Sequence, residues 1–351
     1  MATMSSLLII FRAILIALIS VTFLAWIGTR LAWRIRLVDY PESEPHKQHD
    51  YPTAMAGGLV LMVALWLLAW LLGLLEDVNV RTALWAGLPI LLFGVWDDFK
   101  SLPPWLKLIG QVLATVIIIY VGVYIKVFEA RQFFIRGEGG IYRLMDWAVT
   151  LFWVVGLTNA FNFVDSMDGL AVGLGGTAAA FFMLVTLEAG QPALAQFSAL
   201  LLGACIGLYL FNAPPASLFL GDSGAQTLGF ILAVVAIGYR PQGTEQTSSW
   251  YAPILLLGVP IFDMCLVVIS RLRRHHPVYS AALDHTYHRL LRLGLPSSRA
   301  VLIMQVAALA LSLVAIIGLH EIPLIANAIF IGVLFVGGWV LAYLDRRKIW
   351  P

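Results

Sequence analysis

The fold predicted from the sequence is all-α, a polytopic membrane protein of about eleven transmembrane helices. Three observations carry that expectation. Hydrophobic residues make up 60% of the 351 and charged residues only 12%, roughly half the charged share of a soluble domain. The apolar residues are gathered into successive runs of membrane-crossing length. Lys and Arg, in turn, collect in alternate connections between the runs. No soluble core absorbs this much apolar sequence, so most of it must face lipid or other helices. The chain, 1–351, reads as one integral-membrane domain without internal repeats.

In order, the runs lie near 6–28, 56–75, 82–96, 106–125, 145–162, 170–188, 194–211, 224–239, 251–270, 300–318 and 324–343. The first, from about Leu7 to Ile27, is longer than the roughly 7–15 residues of a signal core. Basic residues Arg30, Arg34 and Arg36 follow it rather than precede it, so it is expected to persist as a helix with its N-terminus outside. The third run is short, and Gly87 with Pro89 is expected to bend it. Lys107 opens the fourth. Cys205 and Cys265 sit inside the seventh and ninth and read as small hydrophobes rather than a disulfide or metal pair. Asp263 is also inside the ninth, and a buried acid there calls for a polar partner in the bundle interior.

With the N-terminus outside, one side of the membrane carries only Arg81, Lys126, Arg131, Arg136, Arg143 and Arg240. The other takes nearly all remaining Lys and Arg, from Arg30 to Lys348. The richer side is cytoplasmic by the positive-inside rule, which also places the C-terminus there. Five carboxylates fall at ends of apolar runs: Asp97 and Asp98 in WDDFK, Asp165 and Asp168 in NAFNFVDSMDGL, and Asp222 in FLGDSGA. They follow the third, fifth and seventh runs, so all five emerge on that same side. A single acid in such a place can serve as a helix cap. Five converging acids point instead to a site, because charge beside hydrocarbon is costly.

Such acids, with an amide nearby, are hard oxygen ligands suited to Mg²⁺, with Mn²⁺ as a substitute, rather than to zinc. Asn162, Asp165 and Asp168 share a face if the helix continues through them. The long segment from about Arg271 to Ser298 holds RLRRHHP, which reads as a positive-inside anchor, and DHTYHRLLRLG. In the latter, His285, His288 and Arg289 have the spacing to face one way on a helix and to donate to a pyrophosphate. Lys107 is placed to snorkel or to meet a phosphate. The net charge of +2 without a basic run gives no sign of nucleic-acid binding, and the absence of HExxH argues against a zinc protease.

Taken together, HKQH and GGL at 46–59, WDDFK at 96–100, TNAFNFVDSMDGLA at 158–171, FLGDSGA at 219–225 and DHTYHRL at 284–290 resemble the polyprenyl-phosphate N-acetylhexosamine-1-phosphate transferases, the group of the bacterial WecA, TagO and MraY enzymes. The resemblance implies Mg²⁺-dependent transfer of a sugar 1-phosphate from a UDP-sugar to undecaprenyl phosphate, releasing UMP at the cytoplasmic face of a bacterial inner membrane. It implies Asn162 and Asp222 as metal ligands, and Asp97, Asp98 and Asp222 as catalytic residues. Asp98 is slightly favoured over Asp97 to act on the lipid phosphate. It further implies Lys107, Asn159, Asp165, Asp168, His285, His288 and Arg289 as substrate-binding residues. A homodimer is compatible with such a chain.

Departures bear on the donor. Tyr287 stands where the WecA group has a second histidine, His46 replaces an arginine, and Met55-Ala56 occupies the stretch before the glycines. UDP-N-acetylglucosamine is the expected donor, with an MraY-like muramyl-pentapeptide substrate as the alternative. From another class, an ion-coupled transporter would also concentrate intramembrane acids, but near the midplane and between repeats.

Overall fold

The computed structural model describes residues 4–41, 51–129, 140–241, 249–277 and 284–346. These form helices α1 (Met4–Ile35), α2 (Gly57–Leu71), α3 (Val78–Phe99), α4 (Pro104–Val121), α5 (Gly140–Val164), α6 (Leu170–Glu188), α7 (Pro192–Asn212), α8 (Gly221–Gly238), α9 (Ala252–Leu256), α10 (Gly258–Arg273), α11 (Thr286–Arg292), α12 (Ser297–Leu319) and α13 (Pro323–Leu344). Among the described residues, nine helices are long and apolar enough to cross a membrane: α1, α3 to α8, α12 and α13. The HKQH stretch lies outside the described residues.

The two remaining apolar runs depart from span length. The second becomes α2, a helix of 15 residues. The ninth is broken at Leu257 into α9 and α10. Pro260 has no N–H to return to the carbonyl four residues earlier, so the backbone cannot carry one ladder through this point.

The third run corrects the expectation of a short span. α3 is 22 residues long and contains Pro89. It starts where the Asp77 side chain accepts from the amides of Asn79 and Val80, satisfying two donors that a helix start leaves open. It ends only at Phe99, so Asp97 and Asp98 belong to its last turn rather than to the loop beyond.

At the centre is α8, the most enclosed of the candidate spans, with Ser223 to Ala236 buried without a break. A helix apolar all round is expected in a bundle core. Its N-terminus is held by backbone-scale packing. A Cβ on Gly94 of α3 would lie 2.4 Å from Ser223 Cα, and one on Gly58 of α2 would lie 2.4 Å from the Gly224 nitrogen. Only glycine admits that approach.

Two-residue strands β1 (Val38–Asp39) and β2 (Thr53–Ala54) pair antiparallel, a small exception to the all-α expectation. β2 reaches the segment before α8: Phe219 N donates to Ala54 O at 2.8 Å, while Gly57 N and Gly58 N donate to the Phe219 and Leu220 carbonyls, each at 3.1 Å. The starts of α2 and α8 are thereby tied together, near the end of α3.

Candidate active site

The C-terminal end of α3, the N-terminal end of α4, the α5–α6 turn and the start of α8 bring the predicted acids together. Lys107 Nζ lies 2.5 Å from Asp97 Oδ2 and 3.3 Å from Asp222 Oδ1. The Asp97 and Asp222 carboxyl groups approach each other, and the Asn162 amide lies beside Asp222. Asp97 Oδ1 also accepts from Leu102 N at 2.6 Å, which fixes the turn leading into α4.

Asp98 does something different. Its Oδ1 accepts from Asp222 N at 2.7 Å, and its Oδ2 from Ser223 Oγ at 2.5 Å and Ser223 N at 3.3 Å. It is the N-terminal cap of α8, supplied across the bundle from α3. An anion belongs there because a helix start presents free N–H groups and a partial positive charge.

Helix α5 stops at Val164, so Asn162, Asp165 and Asp168 do not share one helical face. Asp165 lies in the turn, where its N–H donates to Phe161 O at 3.2 Å, and no hydrogen bond to its carboxylate is present among the described residues. Burial, then the charges of Asp222, Asp98 and Asp168, push its carboxyl well above the usual range. Asp168 Oδ2 accepts from Ala216 N at 3.0 Å. Gly169, at φ +74°, lets the chain reverse into α6.

Behind the acids runs a chain of amides that sequence reasoning only partly foresaw. Asn159 Nδ2 donates to Gln111 Oε1 at 2.7 Å, Gln111 Nε2 donates to Gln226 Oε1 at 3.0 Å, and Gln226 Nε2 is 3.5 Å from Asp222 Oδ1. Asn159 thus stands three residues away from Asp222 along this relay. The signal available was Gln111 and Gln226 lying in otherwise apolar helices.

The histidine-bearing segment forms α11, with His285 at its N-cap position. The three predicted residues there do not face one way. His285 packs its ring 5.3 Å from that of Phe163, the neighbour of Asn162 on α5, and 5.9 Å from that of His288. His288 is buried with neither ring nitrogen hydrogen-bonded. Burial, then the neighbouring His285, pushes its imidazole down to about 4. Arg289 points the opposite way. It is fully buried, with Nε donating to Asp284 O at 2.9 Å and Nη1 to Leu344 O and Asp345 Oδ1, each at 3.1 Å.

Around Arg289 the RLRR cluster is also engaged in ion pairs, a role that its reading as a positive-inside anchor did not include. Arg271 grips Asp284 with two nitrogens at 2.8 and 2.7 Å, a bidentate pair. Asp345 takes Arg273, Arg274 and Ser270 at 2.7, 2.6 and 2.7 Å. Burial raises the Asp345 carboxyl, but the hydrogen bonds from Arg274, Ser270 and Arg289 outweigh it and hold it below the usual range. The polar partner expected for Asp263 is His285, at 2.9 Å.

Among the described residues no group of three His, Cys, Asp or Glu side chains is arranged to hold a metal ion. The site gathers carboxylates, one ammonium and one amide around a helix start. This is the arrangement of a membrane-embedded enzyme that handles phosphates.

Comparison with known proteins agrees. The family model described as glycosyl transferase family 4 matches residues 80–240, which span the acids but not α11. A decaprenyl-phosphate N-acetylglucosaminephosphotransferase of Mycolicibacterium smegmatis is 31% identical over 317 residues, covering 82% of this chain and 76% of the relative. A probable undecaprenyl-phosphate N-acetylglucosaminyl 1-phosphate transferase of Bacillus subtilis is 27% identical over 308 residues, covering 87% and 84%. A phospho-N-acetylmuramoyl-pentapeptide-transferase of Limosilactobacillus fermentum is 33% identical over 159 residues, covering 42% and 46%. The chain belongs to glycosyl transferase family 4, the polyprenyl-phosphate N-acetylhexosamine-1-phosphate transferases of the WecA, TagO and MraY kind.

Proposed function

We propose that this protein transfers N-acetylglucosamine 1-phosphate from UDP-N-acetylglucosamine to undecaprenyl phosphate and releases UMP, starting a cell-envelope glycan. The observation that carries this reading is Lys107 held between Asp97 and Asp222 beside Asn162, at the end of a helix bundle where a lipid acceptor reaches the site from the membrane. An oxygen of the lipid phosphate attacks the sugar-bearing phosphorus of the donor. The bond from that phosphorus to the bridging oxygen breaks, and UMP leaves with that oxygen and its electron pair.

A hard divalent cation fits the residues present. Asp97 and Asp222 approach each other closely and share Lys107, and no hydrogen bond to the Asp165 carboxylate is present among the described residues. Asp222 and Asn162 would hold Mg²⁺ or Mn²⁺, leaving the remaining positions to water and phosphate. Bound there, the ion would neutralise charge gathering on the phosphates. Lys107 meets a phosphate oxygen once substrate competes with its carboxylate partners. Asp97 is the acid we assign to the lipid phosphate, replacing the preference for Asp98, whose oxygens are both committed to backbone and hydroxyl donors of α8. Asp165 and Asp168 line the nucleoside side, and His285 and His288 the pyrophosphate and sugar.

In this reading the chain spans a bacterial cytoplasmic membrane eleven times, N-terminus outside, with the acid end and C-terminus in the cytoplasm. Self-association as a homodimer is compatible with it. The shorter match to a muramyl-pentapeptide transferase makes that donor the second reading. The test is UMP release by purified protein with undecaprenyl phosphate and a panel of UDP-sugars, with Mg²⁺, Mn²⁺ or EDTA. Lipid- and metal-dependent UMP from UDP-N-acetylglucosamine is expected. Release from the muramyl-pentapeptide donor alone would move the assignment to the second reading, and release without lipid or metal would overturn it.

A further inference from the structure

Asp263 is a buried acid that the proposed chemistry leaves unused. It sits on α10 with 1% of its side chain exposed, and a carboxylate in such surroundings persists only where both oxygens have partners. Both do. Oδ1 accepts from Thr286 N at 2.6 Å and Oδ2 lies 2.9 Å from His285 Nδ1. The first bond anchors the start of α11. The second adds nothing to that anchor but determines the state of the imidazole.

An ionised carboxylate only accepts hydrogen bonds, so Nδ1 carries the hydrogen. Phe163 packs against the ring, and 12% of the His285 side chain stays exposed. No hydrogen bond to Nε2 is present among the described residues. The ring is therefore held by one nitrogen and offers the other, the same division of labour that second partners impose on ligand histidines and on the histidine of acyl-transfer triads.

We propose that Asp263 is a positioning residue that presents His285 Nε2 to the donor pyrophosphate and neutralises the imidazolium formed there. Hydrogen bonding to a phosphate oxygen requires a hydrogen on Nε2. The bound ring then carries two hydrogens and stands between two anions, Asp263 and the phosphate, the second proton coming from solvent. The inference rests on the reading that His285 meets the donor.

The test uses the full chain in nanodiscs. ¹⁵N-histidine NMR of the unliganded protein is expected to show His285 protonated at Nδ1 and bare at Nε2, and UDP-N-acetylglucosamine should convert it to the doubly protonated ring. An unprotonated Nδ1 in the free wild-type protein would overturn the proposal whatever the activities show. Asp263→Asn keeps an oxygen for Thr286 N but turns a donor toward Nδ1, so His285 should become the Nε2–H form, which can still donate to a phosphate oxygen but lacks the positive charge that Asp263 supports. Its Kd for UDP-N-acetylglucosamine should rise about 10- to 100-fold, as should that of His285→Gln. The double variant should be no weaker than the worse single one. Losses that multiply, or Asp263→Asn binding like wild type while His285→Gln does not, would overturn it. An unchanged Kd in His285→Gln would overturn it by removing His285 from the donor site, whereas UMP release by wild type reports separately on the reaction itself.

Discussion

Two polar regions of this bundle are built from the same residue types and end in opposite electrostatic states. At the ends of α3 and α5 and the start of α8, the acids outnumber the one cation that reaches them among the described residues, Lys107. Around α11 and the end of α13, Asp284 and Asp345 are surrounded by Arg271, Arg273, Arg274 and Arg289. Among the described residues the first region holds more acid than base. The second is complete in itself. A buried charge that is matched by partners holds structure, and one left under-matched marks where substrate or metal belongs. Asp146 makes the same point from within a span. It is fully buried, and its oxygens take the amides of Val127, Phe128 and Glu129 at 2.8, 2.9 and 3.1 Å, which matches the acid from the neighbouring loop.

The sharpest way to break this comparison is Asp222→Ala. In the open region it removes a proposed metal ligand and the partner of Lys107, and UMP release should fall about 1,000-fold or more, the scale of losing a main electrostatic stabiliser. The thermal midpoint should hardly move, because the deletion relieves crowding between Asp97 and Asp222. A large drop in midpoint with modest loss of turnover would place Asp222 among the structural acids instead.

Arg289→Ala probes the closed region and should behave in the reverse manner. Removing a fully buried guanidinium takes this donor from the Leu344 and Asp284 carbonyls and one of the charges that surround Asp345, which keeps Arg273, Arg274 and Ser270. Breaking a buried pair in this way costs about 3–5 kcal/mol. The readout is thermal unfolding in detergent, with Arg289→Lys recovering only part because lysine lacks the planar fork. Protein that survives should bind UDP-N-acetylglucosamine with near wild-type Kd. A selective rise in Kd with unchanged stability would return Arg289 to the substrate side.

The contrast explains what the sequence made legible. Acids stand out in apolar runs, and orientation by Lys and Arg places Asp97, Asp98, Asp165, Asp168 and Asp222 at one end. Their individual duties did not stand out. The cap made by Asp98 joins residues 124 apart in the chain, and no local pattern encodes such a pairing. RLRR looks alike whether it snorkels to lipid headgroups or closes on Asp345, and the end of α13 that supplies Asp345 is some seventy residues away. The length of α3 was hidden because Asp97 and Asp98 end the apolar window before the helix ends.

His288 sharpens the comparison through pH. Its imidazole is pushed to about 4 from an ordinary 6.5, so between those values the unfolded chain binds the proton and the folded one does not. Stability should be fully present above about pH 6.5 and decline as pH falls toward 4. The slope is about 1.4 kcal/mol per pH unit, and about 3 kcal/mol is lost in all. Melting wild type and His288→Gln at pH 7.5 and 5 isolates this contribution. The variant should lose less on acidification, and equal losses would show that His288 takes up a proton without cost.

The smallest effect expected is at Asp98, and it tests whether the open region contains a structural acid of its own. Asp98→Ala removes the cap of α8 and should lower stability by about 1 kcal/mol, within the range for losing an N-cap side chain. Asp98→Asn, which keeps one acceptor oxygen, should recover much of it. Asp97→Asn should leave stability nearly unchanged and reduce UMP release more than Asp98→Asn does, since Asp97 faces Lys107 whereas Asp98 faces the α8 backbone. The comparison needs only melting midpoints and turnover on the same four preparations. If Asp98→Asn is the more damaging to turnover while its midpoint stays at the wild-type value, Asp98 acts on substrate, and the helix start it caps is held by the glycine contacts of α2 and α3 alone.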